Sequence, residues 1–307
     1  PTVLSAQVDA AAAGQRLPHP EASPALSSLK IDPYGGQRPY EAFRLALEER
    51  DADEIIAELK ASDLRGLGGA GFPTGLKWEI VRNAQGDEKY VVCNADESEP
   101  GTIKDRYIME HLPHLLVEGI MLACLVVSAT RGYIYIRHEY ELQREVLERE
   151  LSRCREAGLL GRNILESDVD LELSLFVSPG GYICGEESAL LEAMEGKRAE
   201  PRNKPPFPGT HGLHDKPTVI NNVETFASVP LILMKGVENF KAQGTGETAG
   251  VKFVGISGHV VRPGVYEIAM GAPARQLIFD LAGGVSDGRA LKAFAPSGPS
   301  AGYLPAS

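Results

Sequence analysis

Four stretches of this chain combine the residue types that binding a phosphorylated cofactor requires. The first is Arg65-Gly-Leu-Gly-Gly-Ala-Gly-Phe-Pro-Thr-Gly-Leu-Lys-Trp78. Gly66, Gly68 and Gly71 fit the pattern GxGxxG. With Gly69 they let bare backbone approach a ligand and present several N–H donors to it. Lys77 follows as a compact cation suited to a pyrophosphate. The pattern alone is weak, because in the ordinary dinucleotide fold it follows a strand. Here a helical pattern precedes it, which argues against an ordinary Rossmann fingerprint. The alternative is a glycine-rich surface turn, and the continuation Phe72-Pro-Thr-Gly-Leu-Lys-Trp78 tips the balance toward a ligand.

The second stretch, Asn94-Ala-Asp-Glu-Ser-Glu-Pro-Gly101, sets Asp96, Glu97 and Glu99 within four residues. Most acidic loops are simply solvated. This one ends a short apolar run, Lys89 to Asn94, and in open α/β sheets ligands bind at the carboxyl ends of buried strands. Asn94 and Asp96 could accept hydrogen bonds from a flavin or a ribose. Carboxylates beside a dinucleotide also repel an additional phosphate, favouring NAD over NADP. The third stretch, Ser178 to Ser188, opens with glycines and places Glu186 and Glu187 in the first turn of a helix. Helix-dipole complementarity accounts for one such carboxylate; Tyr182 beside them makes a ligand wall the competing reading. Lys204-Pro-Pro-Phe207 is a stiff strip with an aromatic that either stacks on an adenine or packs as a linker. The fourth, Thr218 to Thr225, sets Asn221 and Asn222 before a helix, where N-capping would occupy only one of them.

Composition limits what these stretches can serve. A net charge of −11 excludes a nucleic-acid partner that needs a concentrated basic face. The four cysteines, Cys93, Cys124, Cys154 and Cys184, lie too far apart for a local zinc or iron–sulfur motif. They read as reduced thiols of a cytoplasmic protein. No apolar run reaches the roughly eighteen residues of a membrane span, and the N-terminus lacks the pattern of a signal peptide. Residues 1–30 read as an extended arm or linker, and the chain as a piece of a longer polypeptide.

The elements that must position these stretches follow from periodicity. Pro39 to Leu64 predicts a helix, as do His111 to Ala129, Glu139 to Ala157, Tyr182 to Glu195 and Asn221 to Lys235. Lys89 to Asn94, Gly132 to Arg137 and Asp170 to Val177 predict strands. Alternation of strand and helix predicts an α/β fold with a mostly parallel sheet over residues 31–245. From Val251 the texture changes. Two short strands around Arg262-Pro-Gly264, then a short helix closed by Gly283-Gly284, predict a β-grasp domain over 250–307 that is incomplete at its C-terminus.

Taken together and in this order, the four stretches resemble the family of flavin-bearing, NADH-binding subunits of respiratory complex I and its soluble relatives. Those relatives include the β subunit of NAD-dependent formate dehydrogenases and the diaphorase subunit of NAD-reducing hydrogenases. The resemblance runs from about Pro39 onward. It implies a Rossmann-like FMN/NAD-binding domain followed by a ubiquitin-like β-grasp domain. The implied chemistry is hydride exchange between nicotinamide and FMN, then single-electron exchange with iron–sulfur subunits of a larger complex.

By the same resemblance the loop Gly66, Gly68, Gly69 and Gly71 would lie along NAD and the flavin, with Lys77 near the flavin. Asn94, Asp96, Glu97 and Ser98 would hold FMN, and Glu99 would face the nicotinamide. Tyr182, Gly185 and Glu186 would line the flavin, and Glu187 the adenosine ribose. Phe72 and Phe207 would flank the adenine near Lys204, and Asn221 and Asn222 would contact the FMN phosphate. No catalytic acid or base is implied. Leu67 stands where complex I members usually carry Arg, which resembles the formate dehydrogenase branch. The family's cysteine motif for a 4Fe–4S cluster is expected from a C-terminal segment beyond Ser307. The alternatives are complex I itself, an NAD-reducing hydrogenase, or a non-catalytic scaffold that keeps the nucleotide-binding shell.

Overall fold

The computed structural model describes residues 29–306 other than 36 and 50, so nearly all of the expected N-terminal arm lies outside the described residues. Four parallel strands form the central sheet: β1 (Tyr90–Ala95), β2 (Arg131–Arg137), β3 (Glu172–Ser178) and β4 (Thr218–Asn222), in the order β3-β2-β1-β4. Tyr90, Val91, Val92 and Cys93 are all buried, because both faces of the sheet are covered. Val91, Cys93, Ile134 and Ile136 face the larger core. Tyr90, Val92 and Tyr135 face a smaller one with Cys184, Leu190 and Leu191. This two-residue alternation divides the strand side chains between the two layers.

The larger core is built from α1 (Glu41–Glu49), α2 (Ala52–Ala61), α3 (Thr74–Asn83), α4 (Lys104–His111), α5 (Pro113–Val127), α6 (Glu141–Glu156) and α8 (Val223–Lys235). Helix α7 (Glu187–Met194) covers the other face, and a short α9 (Val237–Ala242) follows α8. Helices α5 and α8 touch where Gly119 leaves room; a Cβ there would lie 2.0 Å from the Phe226 carbonyl oxygen.

Several predicted helices are subdivided. The 39–64 helix is two, α1 and α2; Asp51 before α2 is extended and its carboxylate accepts from Asp53 N. The 111–129 helix is α5 alone, met by α4 at a bend of 94° before Pro113, which sits in the first turn. Tyr182 to Glu195 is a 3-10 turn (Tyr182–Gly185) followed by α7, with extended Glu186 between them. Asn221 and Asn222 end strand β4 rather than opening the helix, which starts at Val223. Helix α3 emerges from the glycine-rich stretch itself, driven by burial of Trp78 and Val81.

Residues 251–306 add a hairpin of β5 (Val251–Ile256) and β6 (Gly264–Ala269), a π-helical turn (Gln276–Leu281), and a pair β7 (Ala293–Phe294) with β8 (Leu304–Pro305). The predicted hairpin and short helix are present. The two strand pairs remain separate two-stranded sheets, so no continuous β-grasp sheet forms among the described residues. This segment is anchored to the first. Phe253 N donates to Glu224 Oε1 at 2.5 Å, and Lys30 N and Ile31 N each donate to Glu267 at 2.7 Å. Among the described residues no single helix is long and apolar enough to cross a membrane.

Candidate functional site

Strand order reverses between β1 and β4, and open α/β sheets bind ligands outside the carboxyl ends of strands at such a point. The register pairs Cys93 with Asn221 and Asn94 with Asn222, so the asparagines of both strands emerge at one edge. The glycine loop is fastened over them. Leu67 N donates to Thr225 Oγ1 at 2.9 Å, and Gly66 N to the Phe72 carbonyl at 2.9 Å. Gly68 lies directly on Asn222; a Cβ there would be 2.9 Å from Asn222 Cβ. Gly71 has φ +65°, a conformation that side chains resist, with open space beyond it. The loop is thus held at both ends while its middle presents bare backbone.

Helix α3 carries Lys77 beneath this loop. Its Nζ donates to the Ile220 carbonyl at 2.8 Å, stands 3.6 Å from Glu187 Oε2 and lies 5.8 Å from the centre of the Phe72 ring. Burial lowers its affinity for a proton, and Glu187 offsets part of that. Lys204 Nζ bridges Glu186 at 3.0 Å and Glu187 at 2.8 Å. Burial would lower Lys204's pKa, but those two carboxylates outweigh it and raise it. Phe72, Phe207 and Tyr182 are 41%, 59% and 63% exposed, leaving flat aromatic faces at the mouth.

The loop after β1 is wired to the protein on one side and open on the other. Asn94 Nδ2 donates to the Gly185 carbonyl at 2.8 Å, tying the loop to the 3-10 turn. Asn94 Oδ1 accepts from Asp96 N at 3.1 Å, and Ser98 donates to Asp96 Oδ1. Among the described residues Asp96 Oδ2 is buried with no hydrogen-bond partner, and burial raises the carboxyl's pKa. An acceptor left in that state is suited to a ligand donor.

Like Asn94, three further predicted site residues, Glu97, Glu186 and Asn221, spend their polar groups on the protein itself. Glu97 is buried and accepts from Asp105 N at 2.8 Å and Arg106 N at 3.2 Å, capping α4. Burial raises its pKa to about 7. Its carbonyl accepts from Tyr140 OH at 2.7 Å and Arg137 at 3.1 Å. Glu186 is the N-cap of α7, accepting from Ser188 N and Ala189 N at 2.9 Å each. Asn221 Oδ1 accepts the Trp78 indole N–H at 3.1 Å. These three hold the walls in place.

A buried ionic group behind the site is absent from the sequence reading. Lys104 Nζ lies 2.7 Å from Asp105 Oδ1, 2.8 Å from Glu224 Oε2 and 3.2 Å from Asn222 Oδ1. Burial pulls the Lys104 pKa down, but Asp105 and Glu224 outweigh it and raise it. Asn222 Nδ2 donates to Asp105 Oδ2 at 2.6 Å, and its Oδ1 also accepts from Glu224 N at 3.0 Å. The amide of Asn222 is therefore fixed in one orientation while it caps α8. The only sequence signal was a Lys-Asp-Arg run soon after the acidic loop, and it carries no periodicity to mark it as buried.

The residues fit a flavin nucleotide: at a strand switch point, glycine backbone lies beside a cation and an unsatisfied buried acceptor. Among the described residues no group of three His, Cys, Asp or Glu could hold a metal ion, and the four cysteines are buried free thiols.

Comparison with known proteins agrees. Residues 59–231 match the family model of the Nuo51 FMN-binding domain. An NADH-quinone oxidoreductase subunit of Salmonella typhimurium is 46% identical over 275 residues, covering 89% of this chain and 62% of that protein. The NADP-reducing hydrogenase subunit HndC of Solidesulfovibrio fructosivorans is 45% identical over 274 residues, covering 89% and 56%. An air-oxidised NAD+-reducing NiFe-hydrogenase superposes with a TM-score of 0.81 at 33% identity, covering 99% of this chain and 52% of that one. The chain thus spans about three fifths of the length of the curated relatives it matches. It belongs to the Nuo51 FMN-binding domain family.

Proposed function

We propose that this chain is the FMN-bearing, NAD(H)-reactive part of an electron-transfer dehydrogenase subunit. The observation that carries this reading is the meeting, at the β1/β4 switch point, of the glycine loop, Asn94, Asp96, Lys77 and Asn222. FMN, when bound, supplies the conversion between a two-electron hydride of NADH and single electrons for iron–sulfur carriers. The protein's own part is to hold two rings in stacking register and to exclude alternatives.

In this reading Gly66, Gly68, Gly69 and Gly71 give the cofactors close backbone approach. Lys77 donates to the flavin, Asp96 and Ser98 bind its polyol or ring donors, and the second Nδ2 hydrogen of Asn222, the one not given to Asp105, faces its phosphate. Tyr182 and Gly185 line the flavin, and Glu99 meets the nicotinamide. Phe72 and Phe207 flank the adenine, with Glu187 and Lys204 at its ribose. Carboxylates of the acidic loop beside the dinucleotide disfavour an additional phosphate, which supports NAD(H) as the preferred nucleotide.

The electron partners are iron–sulfur subunits of a larger cytoplasmic complex, with a 4Fe–4S cluster carried by a C-terminal segment. The finer assignment, the diaphorase subunit of an NAD-dependent formate dehydrogenase, is supported by Leu67 alone. The similarity to NADH-quinone oxidoreductase and hydrogenase subunits supports complex I or a hydrogenase as the second reading. The test is FMN uptake by the purified protein together with NADH-dependent ferricyanide reduction. Stoichiometric flavin with NADH turnover is expected, and a protein that takes up no FMN contradicts the assignment.

A further inference from the structure

Glu99 is joined to a residue two hundred positions away. Its Oε1 accepts the Ser300 hydroxyl at 2.7 Å, and its Oε2 accepts the exposed Tyr182 hydroxyl at 2.7 Å. Beside that contact, Gly298 has φ +79°, and a Cβ on it would lie 2.7 Å from the Pro100 carbonyl and 3.0 Å from Glu99 Oε1. The chain around 298–300 is therefore seated against the acidic loop as closely as glycine allows. Each Glu99 oxygen is thus held by a hydroxyl from a different part of the chain. Those two hydroxyls lower the Glu99 pKa, Ser300 more than Tyr182. Among the described residues Tyr182 is the titratable group hydrogen-bonded to it.

We propose that Ser300, seated by Gly298, is a positioning residue of the nicotinamide end of the site: it fixes the carboxylate of Glu99 in the orientation that receives the nucleotide. The inference rests on the functional reading above, in which Glu99 meets the nicotinamide. Its consequence is that the segment after the β5–β6 hairpin belongs to the substrate pocket and is more than an appended module. Removing the Ser300 hydroxyl leaves Glu99 held by Tyr182 and by the weaker contact to the Ser300 backbone, freer to swing and easier to protonate.

The test uses the full-length, FMN-loaded flavoprotein and compares wild type, Ser300→Ala and Ser300→Thr. Flavin content is read by absorbance, and NADH–ferricyanide kinetics are measured across pH. For Ser300→Ala, flavin content is unchanged and the KM for NADH rises about three- to tenfold, as expected for a charge-assisted bond at a screened site. The acid limb of kcat/KM moves to higher pH, because the carboxylate that Ser300 held ionised now protonates sooner. Ser300→Thr, which keeps the hydroxyl, restores both. A Ser300→Ala protein with unchanged KM and acid limb, beside an active wild type, overturns this inference alone. So does flavin loss without a change in KM. A wild type that binds no FMN or does not oxidise NADH overturns the functional reading, and this inference with it.

Discussion

Lys77 shows how burial turns an ordinary side chain into a ligand contact. Its ammonium has one short protein acceptor, the Ile220 carbonyl, and a longer ion pair with Glu187. The remaining donor capacity of a desolvated ammonium is a strong demand for an acceptor. Lys77→Met therefore lowers FMN affinity about tenfold or more, the worth of a hydrogen bond to a charged group. The thermal midpoint of the flavin-free protein changes little by comparison. Equilibrium titration of the flavin-free protein measures the first, and an accompanying melt the second; unchanged affinity would place the flavin away from Lys77. Glu97 is the contrasting case. In the sequence it is one of three acidic neighbours, all candidates for a ligand. In the folded chain its two oxygens are consumed by the first turn of α4, leaving Asp96 Oδ2 as the unsatisfied acceptor.

Among the elements, the close crossing of α5 and α8 sets the geometry beneath the site, because α8 begins at the capping amide Asn222 and carries Thr225, the anchor of the glycine loop. Gly119→Ala places a methyl carbon inside the Phe226 carbonyl. It destabilises the protein by about 1–3 kcal/mol or more through forced separation of the helices, read as a lower denaturant midpoint. An unchanged midpoint would mean that this crossing is not close-packed. The sequence revealed these elements unevenly. Strands β1, β2 and β3 and helix α6 were legible because their apolar residues recur with a clear period. Strand β4 was not, since Thr-Val-Ile-Asn-Asn is short and ends in two amides that read equally well as a helix cap. Helix α3 was hidden by Gly75 within it and by Pro73 just before it. Gly75 lies within it because the backbone of Lys60 would stand 2.7 Å from a Cβ there. Of the site, the glycine loop, the acidic loop and the paired asparagines were visible as local motifs. The Lys104–Asp105–Glu224 group and the Ser300–Glu99 contact join residues more than a hundred positions apart, so no local pattern announces them.

At the scale of the whole molecule, the boundaries 31–245 and 250–307 remain our proposal for its units, and the contacts between them are specific. Glu224 reaches β5, and Glu267 on β6 receives the backbone of Lys30 and Ile31. The N-terminal side of the core has its own buried carboxyl. Glu118 accepts both from Tyr34 OH at 2.9 Å and from Phe43 N at 3.0 Å, and burial raises its pKa to about 7. A carboxyl whose folded pKa lies above its unfolded value binds its proton more tightly when folded. Its contribution to stability is full below the ordinary 4.5 and is lost as pH rises through about 7. Glu118→Gln therefore flattens the fall in melting temperature between about pH 5 and pH 7.5, as that linkage requires. Melts at the two pH values check it; an equal slope in both proteins would show that Glu118 titrates normally.

The central claim is that the β1/β4 switch point holds a flavin reducible by NADH. It is tested most directly by the visible spectrum of the intact FMN-loaded protein, recorded anaerobically before and after one equivalent of NADH. The expected result is a bound-flavin spectrum that bleaches on NADH addition in wild type. Flavin is expected to be lost in Gly68→Ala, whose methyl group would collide with Asn222. A flavin spectrum indifferent to NADH, or full flavin retention and bleaching in Gly68→Ala, would contradict it.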